Sequence, residues 1–296
     1  RIFEADRPKS FALKRNGHMI ANVTFCVRDF AFYVRYFAFH PRFQSDSRTE
    51  RKRDGRSLLE QSIEDVFKNL GAQKELPFYA YIEADNSRSQ QMSKRFGFSP
   101  YTAIISRTFS RLYPRKMKGV SMSSDWNEIA ALVKKDYSHY DAYFDTHIRK
   151  GPFVVLRNAH GDVDAYAKFN LVEWKIHSLP GRFGSIWVKA LPFIPFLRRL
   201  IKPKAHLFLC PDIVSHQVDA KKLERFFSAA LALYKANSII WFVDPNDAVY
   251  EKVKNRFSWG ILDRIIGAKR VNVVMRNANS SYSIKRPFFV SAFDLI

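Results

Sequence analysis

AFYVRYFAFHPRF (residues 31–43), RKRDGRS (51–57), LLEQSIEDVFKNLG (58–71), PFYAYIEADN (77–86) and RFGF (95–98) follow one another in one stretch of the chain. Their order, strand, basic turn, helix, strand, short helix, decides how the rest is read. The first block is a near-continuous aromatic and β-branched run, as expected of a central strand buried on both faces. Arg35 interrupts it and either snorkels out or lines a cleft. The helix carries Leu58, Leu59, Ile63, Val66, Phe67 and Leu70 on one stripe of helical period, which packs on a sheet. Between strand and helix stand Lys52, Arg53, Asp54, Gly55, Arg56 and Ser57. A small-residue turn opening a helix aims backbone N–H groups and the positive dipole end at one spot, which suits a phosphate or diphosphate. Gly and Ser are equally ordinary helix starters, so the turn by itself names no ligand.

The letters around the turn carry more. Lys52-x-x-Gly55-x-Ser57, set between a strand end at Phe39-His40-Pro41 and Leu58-Leu59, resembles the acyl-CoA-binding signature of the GNAT acyltransferases, Gln/Arg-x-x-Gly-x-Gly/Ala. The next helix, Asn86-x-x-Ser89-x-x-Met92-Ser93-x-x-x-Gly97-Phe98, resembles that family's Asn-x-x-Ala-x-x-Leu-Tyr-x-x-x-Gly-Phe. The resemblance implies an α/β (α+β) fold and acetyl-CoA or another acyl-CoA as co-substrate, with an amine as acceptor. It also implies that the main chain of Tyr36, Phe37, Ala38 and Phe39 pairs with the pantetheine arm like an added strand. The amides of Lys52, Arg53, Asp54, Gly55, Arg56, Ser57 and Leu58 would hold the diphosphate, and Asn86, also a helix N-cap by type, would lie near the CoA. Two departures stand out. The loop QSDSRTERKRD (44–54) is longer than the family's usual connection. The tyrosine that often serves as general acid falls on Ser93, whose hydroxyl is a far poorer proton donor than a phenol. Ser93 is therefore a candidate donor acting through water. Glu83 and Asp85 share a face of their strand, and Glu83 is the candidate base for an incoming amine; Asp85 reads equally as a helix N-terminal charge.

The remainder repeats the order. A hairpin is expected over residues 10–27 around Asn16-Gly17, which tolerate positive φ, and SPYTAIISRTFSRLY (99–113) reads as a strand pair closing the first unit. PRKMKGVSMSS (114–124) reads as a linker. After it come a helix (126–145), a second hairpin around residues 159–162, the strand AHLFLCPDIV (205–214), a helix (219–237), the strand SIIWFVDPND (238–247), a further helix, and RVNVVMRN (270–277) as the closing strand. The expected organisation is thus two GNAT-like units, each a mixed, mostly antiparallel central sheet flanked by helices. Residues 1–118 form the acyl-CoA-binding domain. Residues 119–296 form a degenerate domain, because PDIVSHQVDAKK after Cys210 lacks a Gly-x-Gly/Ala turn. GRFGSIWVKALPFIPFLRRLIKPK (181–204) is apolar, basic and interrupted by proline. It reads either as a surface-lying membrane contact or as an insertion packed on the protein.

The 296 residues carry 49 Lys+Arg against 28 Asp+Glu, a net charge of +21. Residues 1–118 hold 23 against 12 and residues 119–296 hold 26 against 16, so the excess is not confined to one tail. Such a field attracts polyanions: CoA phosphates, nucleic acid or an anionic membrane surface. Hydrophobic residues make up 47%, enough to exclude a disordered chain. No apolar run approaches the roughly 18–20 residues of a transmembrane helix. Cys26 and Cys210 sit in separate apolar runs, as buried reduced thiols would. No Cys or His spacing suggests a metal, and a cytoplasmic setting fits best, with a peripheral membrane contact as the alternative. The chain starts at Arg1 without methionine, so an upstream segment carrying the family's first strand and helices is expected. Three functions remain in play: an acyl-CoA-dependent N-acyltransferase, a Fem-like aminoacyl-tRNA-dependent transferase on the same doubled architecture, and a non-catalytic GNAT-fold binding protein.

Overall fold

The computed structural model describes residues 8–28, 30–39, 58–74, 76–177, 188, 193–194, 196–277 and 286–295. Asn16 and Gly17 take φ of 50° and 79° and fold strand β1 (Pro8–Arg15) back on β2 (His18–Val27). Strand β3 (Phe32–Phe39), helix α1 (Leu58–Lys74), strand β4 (Phe78–Glu83) and helix α2 (Ser87–Arg95) follow as the opening stretch predicts. The chain continues through β5 (Ser99–Ser110), β6 (Val120–Ser123), α3 (Asn127–Tyr137), β7 (Phe153–Arg157) and β8 (Val163–Trp174). Then come α4 (Leu197–Leu200), β9 (His206–Val214), α5 (Ala220–Tyr234), β10 (Ser238–Val243) and α6 (Ala248–Val253). Helix α7 (Ile261–Ile266), strand β11 (Lys269–Arg276) and helix α8 (Ala292–Leu295) complete it.

Two compact units result: residues 1–102 with 271–284, and residues 103–270 with 285–296. The first unit orders its strands β1-β2-β3-β4-β11. Only β3 and β4 are parallel; the other neighbours are antiparallel. Phe67 of α1 is the hub of its core, with ring centroids 5.3 Å from Phe25, 5.0 Å from Phe78 and 5.6 Å from Phe98. Edge-to-face pairs of this kind add about 0.5–1.5 kcal/mol each beyond area burial. They fix α1 on one face of β2 and β4.

The second unit orders its strands β5-β10-β9-β8-β7-β6. Helix α5 buries Leu223, Phe226, Phe227, Ala230 and Leu231 on its sheet. It starts at an Asp219 cap that accepts from Lys222 N, and ends at Lys235 in the left-handed region. Pro211 cannot donate to a ladder, and the β8–β9 register shifts between Lys168 and Phe169, which faces Pro211. Cys26 and Cys210 are both buried thiols. Among the described residues no helix is long and apolar enough to cross a membrane.

Three expectations about chain organisation are corrected. Residues 99–110 are one long strand, not a pair, and Ile105–Ser110 pair with Val243–Ser238 in the second unit. The strand β11, expected to close the second unit, instead pairs with β4 in the first, Val271 opposite Glu83 and Arg276 opposite Phe78. The units therefore do not part at residue 118. The polar stretch 114–124 also contains an edge strand, β6, paired with β7. In each case the alternation of the segment is right for a strand, while its partner is set by distant residues that the segment itself does not specify.

Candidate active site

The parallel register between β3 and β4 holds at Phe32–Phe78 and Tyr33–Tyr79. Past those residues the strands part, and a cleft of about 410 Å³ opens between them and α2. Its apolar wall is Val34, Phe37, Phe67, Ile82, Met92 and Phe98, and its polar groups include Arg35, Glu83, Asn86, Arg88 and Ser93. Of the residues expected at a site, Phe37, Ala38, Glu83, Asn86 and Ser93 line this one cleft. Phe37 and Ala38 supply one edge, and Glu83, the exposed last residue of β4, lies at the other. Tyr36 and Phe39 are placed through their backbone in β3, opposite Thr24 and Ala21. Lys52, Arg53, Asp54, Gly55, Arg56 and Ser57 lie outside the described residues, and Leu58 is the first residue of α1.

The turn from β4 into α2 is held by its own polar groups. Asn86 N donates to Glu83 O at 3.0 Å. The Asn86 side chain caps α2 by accepting from Ser89 N at 3.0 Å, one of the orphan donors of a helix start. Gln90 Nε2 donates back to Ala84 O at 2.8 Å. Ser93, 8% exposed, donates its hydroxyl proton to Gln90 O at 2.9 Å. That leaves its lone pairs, not its proton, for anything in the cleft. Tyr81 also lines the cleft. It shares the β4 face of Glu83 two residues earlier, a relation visible in the sequence but hidden because a tyrosine in an apolar strand reads as core.

The arrangement suits an extended, partly apolar arm bearing amide groups. A strand that departs from its neighbour offers main-chain donors and acceptors to an added strand, and the side chains of Phe37, Ile82, Met92 and Phe98 wall it from water. The residues present thus fit the pantetheine and thioester portion of an acyl-CoA.

In the second unit β9 and β10 are likewise parallel, in register at Leu209–Ile239, but here the chain's own residues pack against both strands. Ala292 lies against Phe208 and Cys210, with Ile240 and Phe242 at its flank. Its N–H donates to Asp212 Oδ1 at 2.8 Å, and Phe288 N donates to Asp244 Oδ2 at 3.0 Å. Burial alone would raise the Asp212 carboxyl. His147 at 3.3 Å and the hydrogen bonds from Asn170 and Ala292 outweigh it and hold the group below the usual carboxylate range. Nearby, Tyr137 bridges the Val214 main chain, accepting from N at 2.7 Å and donating to O at 2.9 Å. Tyr140 donates to Asp247 Oδ2 at 2.8 Å, and Tyr166 to Asp136 Oδ2 at 2.7 Å. Burial first, and then the neighbouring Tyr137 and these carboxylates, push the Tyr140 and Tyr166 phenols far above their ordinary range. They are hydrogen-bond donors that tie this unit together. Among the described residues no group of three or more His, Cys, Asp or Glu could hold a metal ion.

No family model matches the chain, and no curated protein matches its sequence. Solved structures do match. A GCN5-related N-acetyltransferase from Sphaerobacter thermophilus aligns at 10% identity over 90% of this chain and 80% of its own, with a TM-score of 0.50. A tandem GNAT protein from the clavulanic acid biosynthesis pathway aligns at 9% identity over 93% of this chain and 85% of its own, TM-score 0.50. Saccharomyces cerevisiae N-myristoyltransferase with bound myristoyl-CoA aligns at 10% identity over 94% of this chain and 75% of its own, TM-score 0.53. The chain has the GNAT N-acetyltransferase fold. The match to the tandem protein extends along most of both chains, so the likeness takes in both compact units.

Proposed function

We propose that this protein is an acyl-CoA-dependent N-acyltransferase whose first unit holds the thioester in the cleft between β3 and β4. The observation that carries the reading is the parting of those strands after Tyr33 and Tyr79, with Glu83, Asn86 and Ser93 in the lining of the gap. Its support from the comparisons is that the GNAT fold is found in acyltransferases that include one with myristoyl-CoA bound. The Lys52–Leu58 turn is assigned the diphosphate. Glu83 at the mouth takes the proton from the acceptor ammonium, so that a neutral amine forms the C–N bond as the C–S bond breaks. Main-chain N–H groups of β3 meet the developing oxyanion. The departing thiolate needs a proton. Because the Ser93 proton is engaged with Gln90 O, we assign this role to water in the cleft, which carries the second proton lost by the amine nitrogen to the sulfur as the amide forms. The second unit takes no second acyl-CoA, a reading supported by the residues 288–292 that pack against β9 and β10.

Isothermal titration calorimetry with acetyl-CoA tests the binding. Saturable heat is expected, and Ala38→Trp, a substitution at an exposed cleft position, is expected to weaken it roughly tenfold or more by filling the space. No heat at millimolar ligand would overturn the proposal. In an acetyl-CoA turnover assay against an amine panel, Glu83→Gln is expected to lower kcat/KM by about 10²-fold, whereas Ser93→Ala leaves it within about threefold.

A further inference from the structure

A small satellite core in the second unit gathers Leu200 and Ile201 at the end of α4, Leu262 of α7, Leu112 beyond β5 and Ile176 beyond β8. Four chain segments remote in sequence thus lie side by side. Their outward residues are apolar to an unusual degree. Phe193 is 86% exposed, Phe196 64% and Ile265 60%, and Ile261 and Ile266 of α7 are exposed as well. Monomeric proteins scatter exposed apolar residues singly; a contiguous set marks an interaction surface. The same segments carry the exposed cations Lys175, Arg198, Arg199, Lys202, Lys204 and Arg264. The acid on α7, Asp263, is paired: it accepts from Arg107 Nε and Nη2 at 2.9 and 2.8 Å and from Thr108 N at 3.1 Å. Arg199 stacks on Tyr113, itself an exposed aromatic, at 4.3 Å from the ring.

We propose that this face of the second unit docks on an anionic lipid bilayer, with Phe193, Phe196 and the α7 isoleucines entering the headgroup region and the surrounding cations meeting lipid phosphates. Aromatic and aliphatic tips ringed by Lys and Arg are the composition of an interfacial contact. Charge complementarity selects this occupant over a second copy of the chain. An isologous contact would set six cations against the same six in a protein of net charge +21. A nucleic-acid backbone would use the cations but has no place for exposed isoleucines. Helix α7 is anchored rather than a frayed end, because the bidentate Arg107–Asp263 pair and Leu262 fix it to the body of the unit. A prefixed apolar face loses little conformational freedom on docking.

Vesicle co-sedimentation of the whole chain tests this. The protein is expected to pellet with phosphatidylglycerol/phosphatidylcholine vesicles (roughly 3:7) and to stay in solution with pure phosphatidylcholine. Part of the binding is expected to persist at about 0.15 M salt, where purely coulombic attachment is screened. The double variant Phe193→Ser/Phe196→Ser is expected to weaken partition roughly tenfold or more with an unchanged melting curve. Ile265→Ser gives a second, independent reading should the double variant lose its fold. No pelleting with anionic vesicles at low salt would overturn the proposal, as would equal binding by all the variants. So would a dimer in sedimentation velocity that the same substitutions dissolve.

Discussion

Arg276 shows how much one side chain can hold in the first unit. From β11 its Nη2 donates to Glu64 Oε1 at 2.6 Å, and its Nη1 donates to Glu64 Oε2 and to Phe96 O, both at 2.9 Å. Its guanidinium carbon lies 5.0 Å from the centre of the Phe67 ring. One group thereby joins a strand, α1, the end of α2 and the core hub. The side chains of Arg276 and Glu64 are 13% and 10% exposed, so little solvent screens them. Removing one partner would strand a carboxylate inside the protein, which costs about 3–5 kcal/mol for a fully buried pair. Arg276→Met is expected to lower unfolding free energy by about 3 kcal/mol in urea titration, and adding Glu64→Gln to recover a good part of that loss. Arg276→Lys recovers little, because an ammonium cannot supply the planar fork. The exposed Arg149–Asp145 pair is the internal control, expected to contribute little because solvent screens it. A loss for Arg276→Met no larger than that for Arg149→Met would refute the assignment.

At the scale of the element, α7 is the instructive case, since six residues have no helical stability of their own. Its position comes from the residue before it. Gly260 has φ of 101° and presses on β5, where an added Cβ would lie 2.4 Å from Ser110 O and 2.5 Å from Ser110 Oγ. Ser110 N donates to Trp259 O at 2.7 Å and Leu262 N donates to Ser110 Oγ at 3.2 Å. Gly267, after the helix, has φ of 72° with nothing near its missing Cβ. Gly267→Ala should therefore cost about 1 kcal/mol from backbone strain alone. Gly260→Ala should cost about 3 kcal/mol, because a strand backbone must also move. Equal costs in chemical denaturation would refute the close packing. No local pattern announces such a contact, and the same limit separates what is legible in the sequence from what is not. The strand, helix and hairpin signals from Asn16-Gly17 to Phe98 are local and come through, and the nearness of Glu83, Asn86 and Ser93 is legible because the β4–α2 turn gathers them within eleven residues. Tyr81 is passed over because the neighbours that make it cleft-lining rather than core lie on another strand. The destination of SPYTAIISRTFS is set at residues 238–243, and alternation carries no address.

For the whole molecule, that missing address has a consequence for how the chain can be divided. Residues 1–118, the natural cut by composition, leave β4 without the six residues of β11 that pair with Phe78–Glu83. They also leave Glu64 without Arg276 and the core without Val274. The bare edge of β4 and the second half of β5, without its β10 partner, would then be templates for association. The fragment 1–118 is expected to aggregate or to lack a cooperative melt. A different fragment should behave otherwise. Ser99 Oγ donates to Met275 O at 3.4 Å, so the start of β5 runs beside the end of β11, and a Gly/Ser linker of about six residues can join residue 102 to residue 269. The spliced chain 1–102/269–277 restores β1-β2-β3-β4-β11 and both partners of Arg276. It also keeps every described residue of the cleft lining, which runs from Val34 to Phe98. It is expected to melt in one transition by circular dichroism and to bind acetyl-CoA as the whole chain does. Cooperative folding of 1–118 alone would show that β11 is dispensable. A spliced chain that folds without binding would place part of the acyl-CoA site outside the first unit.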